Sequence, residues 1–182
     1  MIYLGVAWLF GPVIGLAIGG ISTLLYATFT RKLWKWDVLH RYSVVAVPNL
    51  NGTWTGYLYT SRDETMIPDN QIVTDGTQYD NLTKQETEIT IEQTWDKILV
   101  TLNGPESPSR SEAATILVND KAWPTLTYNY WNEGSMTNDD LDPHYGTAVL
   151  EYHEDEEKLQ GKYYNRPDQR GTHGVLELYR TE

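Results

Sequence analysis

Catalysis needs reactive side chains at fixed spacings, and this chain holds the side chains without the spacings. Its four histidines, His40, His144, His153 and His173, form no HExxH or other close pair that would grip zinc. Cysteine is absent, which removes thiolate metal sites, disulfide frameworks and cysteine nucleophiles together, and nothing argues for an oxidising compartment. The serines of "ESPSRSEA" (106–113) lack a GxSxG elbow. The acidic run Glu154, Asp155, Glu156, Glu157 lies between two predicted strands and reads as a solvated hairpin tip, while Asp139, Asp140 and Asp142 would attract at most a loosely held cation. No glycine-rich loop precedes a helix to cradle phosphate. The expectation is a protein with no catalytic residue, no metal and no resident cofactor.

The residues that remain conspicuous are aromatic and amide side chains on strands. In "TLTYNYW" the period of two puts Leu126, Tyr128 and Tyr130 on one face and Thr127, Asn129 and Trp131 on the other. A polar, aromatic interior suits a planar ligand such as a nucleobase, which stacks on rings; the same rings would also serve to fill a thin barrel. Eight strands are predicted, near 52–60, 86–94, 96–103, 112–119, 125–132, 146–153, 158–166 and 174–180. Most are joined by short turns, so neighbours pair antiparallel, and a small closed up-and-down barrel is the predicted fold. The longest connection, 61–85, is polar and reads as a lid or side loop. Trp54 follows the turn of "VPNLNGTW", as in lipocalin-like barrels, and is predicted to plug one end.

Ahead of the barrel, Met1 to Thr30 carries no charged side chain and exceeds the roughly 20 residues that a bilayer core requires. It reads as one transmembrane helix ending in an interfacial anchor, Phe29, Arg31, Lys32, Trp34, Lys35 and Trp36, in preference to a cleaved signal peptide or a buried core helix. The basic residues follow the span, so the positive-inside rule leaves the barrel in the cytoplasm. Gly11, Gly15 and Gly19, at intervals of four, would form a groove for helix association. The expected organisation is a membrane helix with its anchor (1–36), a juxtamembrane linker (37–49) and the barrel (50–182). Net charge is -11, yet Arg31, Lys32, Lys35 and Arg41 crowd together after the apolar segment, so the barrel is acidic and general binding of DNA or long RNA is excluded as a function class.

The order of "LWKWDVLHRY", "VPNLNGTWTGYL", "IEQTWDKILVTL", "SPSRSEAA", "LTYNYWNE", "HYGTAVLEY" and "LQGKYYNRPDQRGTHGVLELYR" after a membrane segment resembles the CD-NTase-associated protein 15 family. These are the membrane-anchored, β-strand-rich effectors of CBASS antiphage defence in bacteria. The resemblance covers nearly the whole chain; it implies a non-enzymatic receptor whose barrel binds a cyclic dinucleotide made by a partner nucleotide cyclase (CD-NTase). Binding would drive self-association into oligomers and disruption of the inner-membrane bilayer, ending in abortive infection. On that resemblance the expected ligand-contacting residues are Trp95, Tyr128, Tyr130, Tyr163, Tyr164, Arg166 and Arg170, the arginines neutralising phosphate. Family members carry two membrane helices, and only one span is read here. The alternatives are a membrane-tethered lipocalin-like carrier of an apolar ligand and a filled barrel acting as an assembly scaffold. The identity and linkage of the ligand, the oligomer size and the pocket-lining face stay open.

Overall fold

β-Branched and aromatic residues at alternate positions, punctuated by Gly, Asn, Asp and Pro, build eight strands: β1 (Gly52–Thr60), β2 (Thr83–Gln93), β3 (Ile98–Leu102), β4 (Ser109–Asn119), β5 (Ala122–Asn132), β6 (His144–His153), β7 (Lys158–Asn165) and β8 (His173–Arg180). The computed structural model describes residues 18–61, 72–73, 79, 81–103, 107–119, 122–134, 142–166 and 171–181. Each strand pairs antiparallel with the next, and β1 also pairs with β8, so the sheet closes into an eight-stranded up-and-down barrel as predicted. Closure satisfies the ladder groups of both outer strands.

Register fixes what points inward. Trp54 lies opposite Ile89 and Arg180, Leu126 opposite Ile116 and Leu150, and Leu159 opposite Tyr152 and Leu178. Apart from Arg180, these residues and their neighbours Leu50, Ile91 and Val100 form the core, most of them fully buried. Each large apolar side chain removed from water in this way contributes about 1.5–3 kcal/mol before entropy is counted. Tyr128 and Tyr130 share the inward face with Leu126, as the alternation predicts. Two irregularities interrupt β4, between Ser111 and Ala113 and between Leu117 and Asn119; at the first, Ser111 Oγ accepts the backbone N–H of Val100 at 2.9 Å.

One end of the barrel is sealed. Leu50 is wholly buried there, held by its N–H on Gln93 Oε1 (2.7 Å) and by its carbonyl, which accepts Trp54 Nε1–H (3.0 Å). Gln93 Nε2 donates to Pro48 O, and Asn51 exchanges bonds with the Gln93 main chain in both directions. Arg180 lies 4.5 Å over the Trp54 ring and donates from its two terminal nitrogens to the carbonyls of Asn51 and Asn49. Its Nε, without a hydrogen bond, stands 3.5 Å from Glu157 Oε1. Trp54 is thus the plug that its sequence position predicts.

Residues 1–46 and 94–96 form a separate unit. Within it, a helix, α1, is described over 18–31, followed by a short 3-10 turn (Leu33–Lys35) and α2 (Asp37–Arg41). Ile18, Ile21, Leu24, Leu25 and Tyr26 of α1 are exposed, whereas Trp34 is fully buried. Among the described residues no helix is long and apolar enough to cross a membrane; residues 1–17, which hold most of the expected span, lie outside them.

Candidate functional site

The other end of the barrel is built differently. Its connections, 61–82, 103–108, 133–143 and 166–172, are the long ones, while those at the sealed end, 94–97, 120–121 and 154–157, hold four residues or fewer. Here the inward positions at the strand ends carry Thr60, Thr83, Ser109, Asn132, His144 and Asn165, all buried or half-buried. A layer of tyrosines lies beneath them.

Small residues on the neighbouring strands make room for those rings. Tyr130 faces Gly146 across the β5–β6 ladder, and a Cβ built on Gly146 would stand 2.3 Å from the Tyr130 ring. Tyr163 faces Gly174 and Ala148 in the same way, and Tyr128 also faces Ala148. Glycine here lets an aromatic ring lie flat across the adjacent strand, a pairing that pins both register and ring. Tyr128 and Tyr130 stand 5.9 Å apart, tilted at 49°. Burial pushes the Tyr128 hydroxyl well above the usual phenol value, so it is neutral and available as a donor throughout the physiological range.

Above the rings runs a side-chain network. Tyr130 Oη donates to Asn165 Oδ1 at 2.7 Å, and Asn165 Nδ2 donates to Thr172 Oγ1. Tyr163 Oη donates to Thr60 Oγ1, Ser107 Oγ to Asn132 Oδ1, and His144 Nδ1 lies 2.8 Å from the carbonyl of Asp142. Arg166 follows Asn165 directly, at the rim; its N–H donates to Tyr145 O and its carbonyl accepts the N–H of Gly171, which sits at φ 63°. Donors, acceptors and rings therefore gather at one end, with exposed Arg166 next in the chain. Such an arrangement suits a flat heterocycle carrying phosphate. At the same end, in an exposed contact, Ser61 Oγ lies 3.1 Å from His173 Nδ1.

The structure separates the predicted ligand contacts. Tyr128, Tyr130 and Tyr163 come together inside, while Arg166, exposed and next after Asn165, follows the end of β7 in the outward phase of Tyr164. Tyr164, one residue out of phase with Tyr163, is 52% exposed on the outer wall, opposite Thr147 and His173. Trp95 lies in the β2–β3 turn and groups with the N-terminal unit: its N–H donates to Thr30 O, and its ring meets Phe29 edge-on at 5.4 Å and Trp34 at 6.2 Å. Arg170, Gly11 and Gly15 lie outside the described residues. Gly19 is described, and a Cβ there would meet nothing within 4 Å. Sequence reasoning passed over Thr60, Thr83, Asn132, His144 and Asn165; their signal was phase, each being an even number of residues along its strand from a core position.

Two comparisons bear on this geometry. Residues 45–180 match the family profile described as the Cap15 cyclic dinucleotide receptor domain, a span that coincides with the barrel and the segment leading into it. A protein of Yersinia aleksiciae, CD-NTase-associated protein 15, is 30% identical over 167 residues, covering 92% of this chain and 71% of that relative.

Proposed function

This chain belongs to the Cap15 family, and from that premise we propose that its barrel is a receptor for a cyclic dinucleotide, taken up at the tyrosine-lined mouth. The observation that supports this reading is the coincidence of the family match with a barrel whose polar layer at one end combines tyrosine hydroxyls and amides, with Arg166 next in the chain. Tyr128, Tyr130 and Tyr163 offer faces and hydroxyls to the bases, and Arg166 meets phosphate, with Arg170 as its sequence neighbour for the same task. The second messenger comes from a partner nucleotide cyclase of the same defence system.

Beyond recognition, the proposal includes self-association on ligand binding and disruption of the bacterial inner membrane by the N-terminal segment, with the barrel in the cytoplasm. The uncharged stretch before Arg31 and the exposed apolar side chains of α1 support a bilayer-facing helix. Gly11, Gly15 and Gly19 are proposed as its association face. The rival, an apolar-lipid carrier, is disfavoured by the amides and hydroxyls that line the mouth.

The test is calorimetric titration of the chain in detergent micelles with a panel of cyclic di- and trinucleotides and with linear mononucleotides. One cyclic dinucleotide is expected to bind, with the linear ones silent; a panel in which none binds overturns the receptor reading. For the membrane step, Gly15→Leu is expected to retain insertion and ligand binding but to reduce killing of cells that co-express an active cyclase. Undiminished dye uptake at equal membrane levels would remove the glycine face from the mechanism.

A further inference from the structure

Asn165 occupies a position that no recognition role of its own requires. It is the last residue of β7, buried, and it faces two ways. Inward, its Oδ1 accepts the Tyr130 hydroxyl; outward, its Nδ2 donates to Thr172 Oγ1, while its own N–H donates to Thr172 O at 2.8 Å. Thr172 and Gly171 stand at the far end of the β7–β8 connection, and Arg166 opens that connection as the residue next to Asn165, with Gly171 N–H on its carbonyl. Tyr130 in turn cannot shift toward β6 or away from it without altering its contact with Gly146.

We propose that Asn165 is a positioning residue that couples the Tyr130 ring inside the barrel to the rim at Arg166. The inference rests on the receptor reading for its ligand, though not for its mechanics. A base that takes over the Tyr130 hydroxyl or tilts its ring releases or re-aims Asn165 Oδ1. The amide then turns with its Nδ2, and the turn reaches Thr172 and the base of the loop that Arg166 begins. Occupancy of the interior is thereby reported at the rim, and a ligand engages both the rings and the guanidinium or neither well. An asparagine suits this task because it accepts at one end and donates at the other; leucine would fill the space and carry neither bond.

The first arm needs no ligand. Amide hydrogen exchange is measured on the chain and on Tyr130→Phe, which removes only the hydroxyl. Exchange at Asn165, Gly171 and Thr172 is expected to rise at least several-fold, with Thr90 and Ile91 at the sealed end unchanged. Unchanged exchange at the rim, or an equal rise at both ends, overturns the coupling. The second arm uses the cyclic dinucleotide that binds in the titration above. In the parent, Tyr130→Phe and Arg166→Ala are expected to reduce affinity less together than the product of their separate effects; in an Asn165→Leu background the two effects are expected to multiply. Multiplicative effects in both backgrounds sink the proposal while leaving the receptor reading intact. A parent that binds no cyclic dinucleotide sinks the receptor reading and leaves the exchange result to decide the coupling.

Discussion

The two ends of the barrel satisfy their buried polar groups in different ways. At the sealed end the polar side chains mostly bond the main chain: Gln93 to Leu50 and Pro48, Asn51 to Gln93, Trp54 to Leu50, Arg180 to Asn49 and Asn51. At the mouth they mostly bond one another: Tyr130 to Asn165, Asn165 to Thr172, Tyr163 to Thr60, Ser107 to Asn132. A side chain tied to backbone is part of the scaffold, because releasing it opens the scaffold's own groups to a desolvation cost. A bond between two side chains can be exchanged for a bond to a ligand while the ladders stay whole. On the proposed reading, this contrast gives stability to one end and recognition to the other.

The largest effect that would break this contrast is at the plug. Trp54→Ala is expected to lower unfolding free energy by about 3–5 kcal/mol, the cost of deleting a fully buried large aromatic. A variant that melts like the parent yet loses ligand would move Trp54 into the binding site. Next, Gly146→Ala drives a methyl into the Tyr130 ring, and overpacking of that kind costs about 1–3 kcal/mol. Chemical denaturation measures it, and an unchanged midpoint would show that the ring is not pinned. Smaller again is Arg166→Ala, expected to weaken ligand binding roughly tenfold, about 1.4 kcal/mol, without altering melting. Its counterpart is Lys158→Ala, at the sealed end, which is expected to leave affinity unchanged. The sequence put Lys158 near an exposed hairpin tip; in the structure its side chain is 13% exposed and its Nζ is held 2.8 Å from Glu156 Oε2. Equal effects of the two substitutions on affinity would erase the distinction between the ends.

The smallest expected effect is a pH dependence. Burial raises Tyr128 above the ordinary phenol value of 10.0, so its contribution to stability is complete below about pH 10 and is lost as pH rises through that value and beyond. Tyr128→Phe is expected to change stability at pH 8 by no more than about 1 kcal/mol and to flatten the decline above pH 10. Denaturant midpoints across that range measure it. A decline as steep as the parent's would assign the alkaline loss to other groups, such as Tyr59 and Tyr152, which burial also raises.

How far the sequence spoke also differs between the ends. All eight strands were legible, and so were the plug at Trp54, the hairpin tip at Glu154 to Glu157 and the inward phase of Tyr128 and Tyr130. Strand boundaries slipped at both ends: at the sealed end β3 begins at Ile98 rather than 96, and at the mouth β2 begins at Thr83 rather than 86, β4 at Ser109 rather than 112 and β6 at His144 rather than 146. Inward residues there are Thr, Gln, Ser and His, so alternation of apolar with polar fades where the lining turns polar. At the sealed end β5 begins at Ala122, hidden by Pro124. Tyr163 and Tyr164 show the limit of composition, since adjacent identical residues part to opposite faces and only register decides between them. Trp95 was beyond reach for another reason: its partners Phe29 and Trp34 are some sixty residues away along the chain.

The pairing of β1 with β8 has a consequence for chain connectivity. Thr181 N–H donates to Thr53 O, so the chain leaves the barrel beside the place where it comes in, at the sealed end. Strand order in space is therefore a ring with no privileged first member. A circularly permuted protein, with a short flexible linker from residue 182 to residue 47 and new termini opened within 61–82, would keep every ladder and place its ends at the mouth, where a reporter could be attached next to the tyrosines.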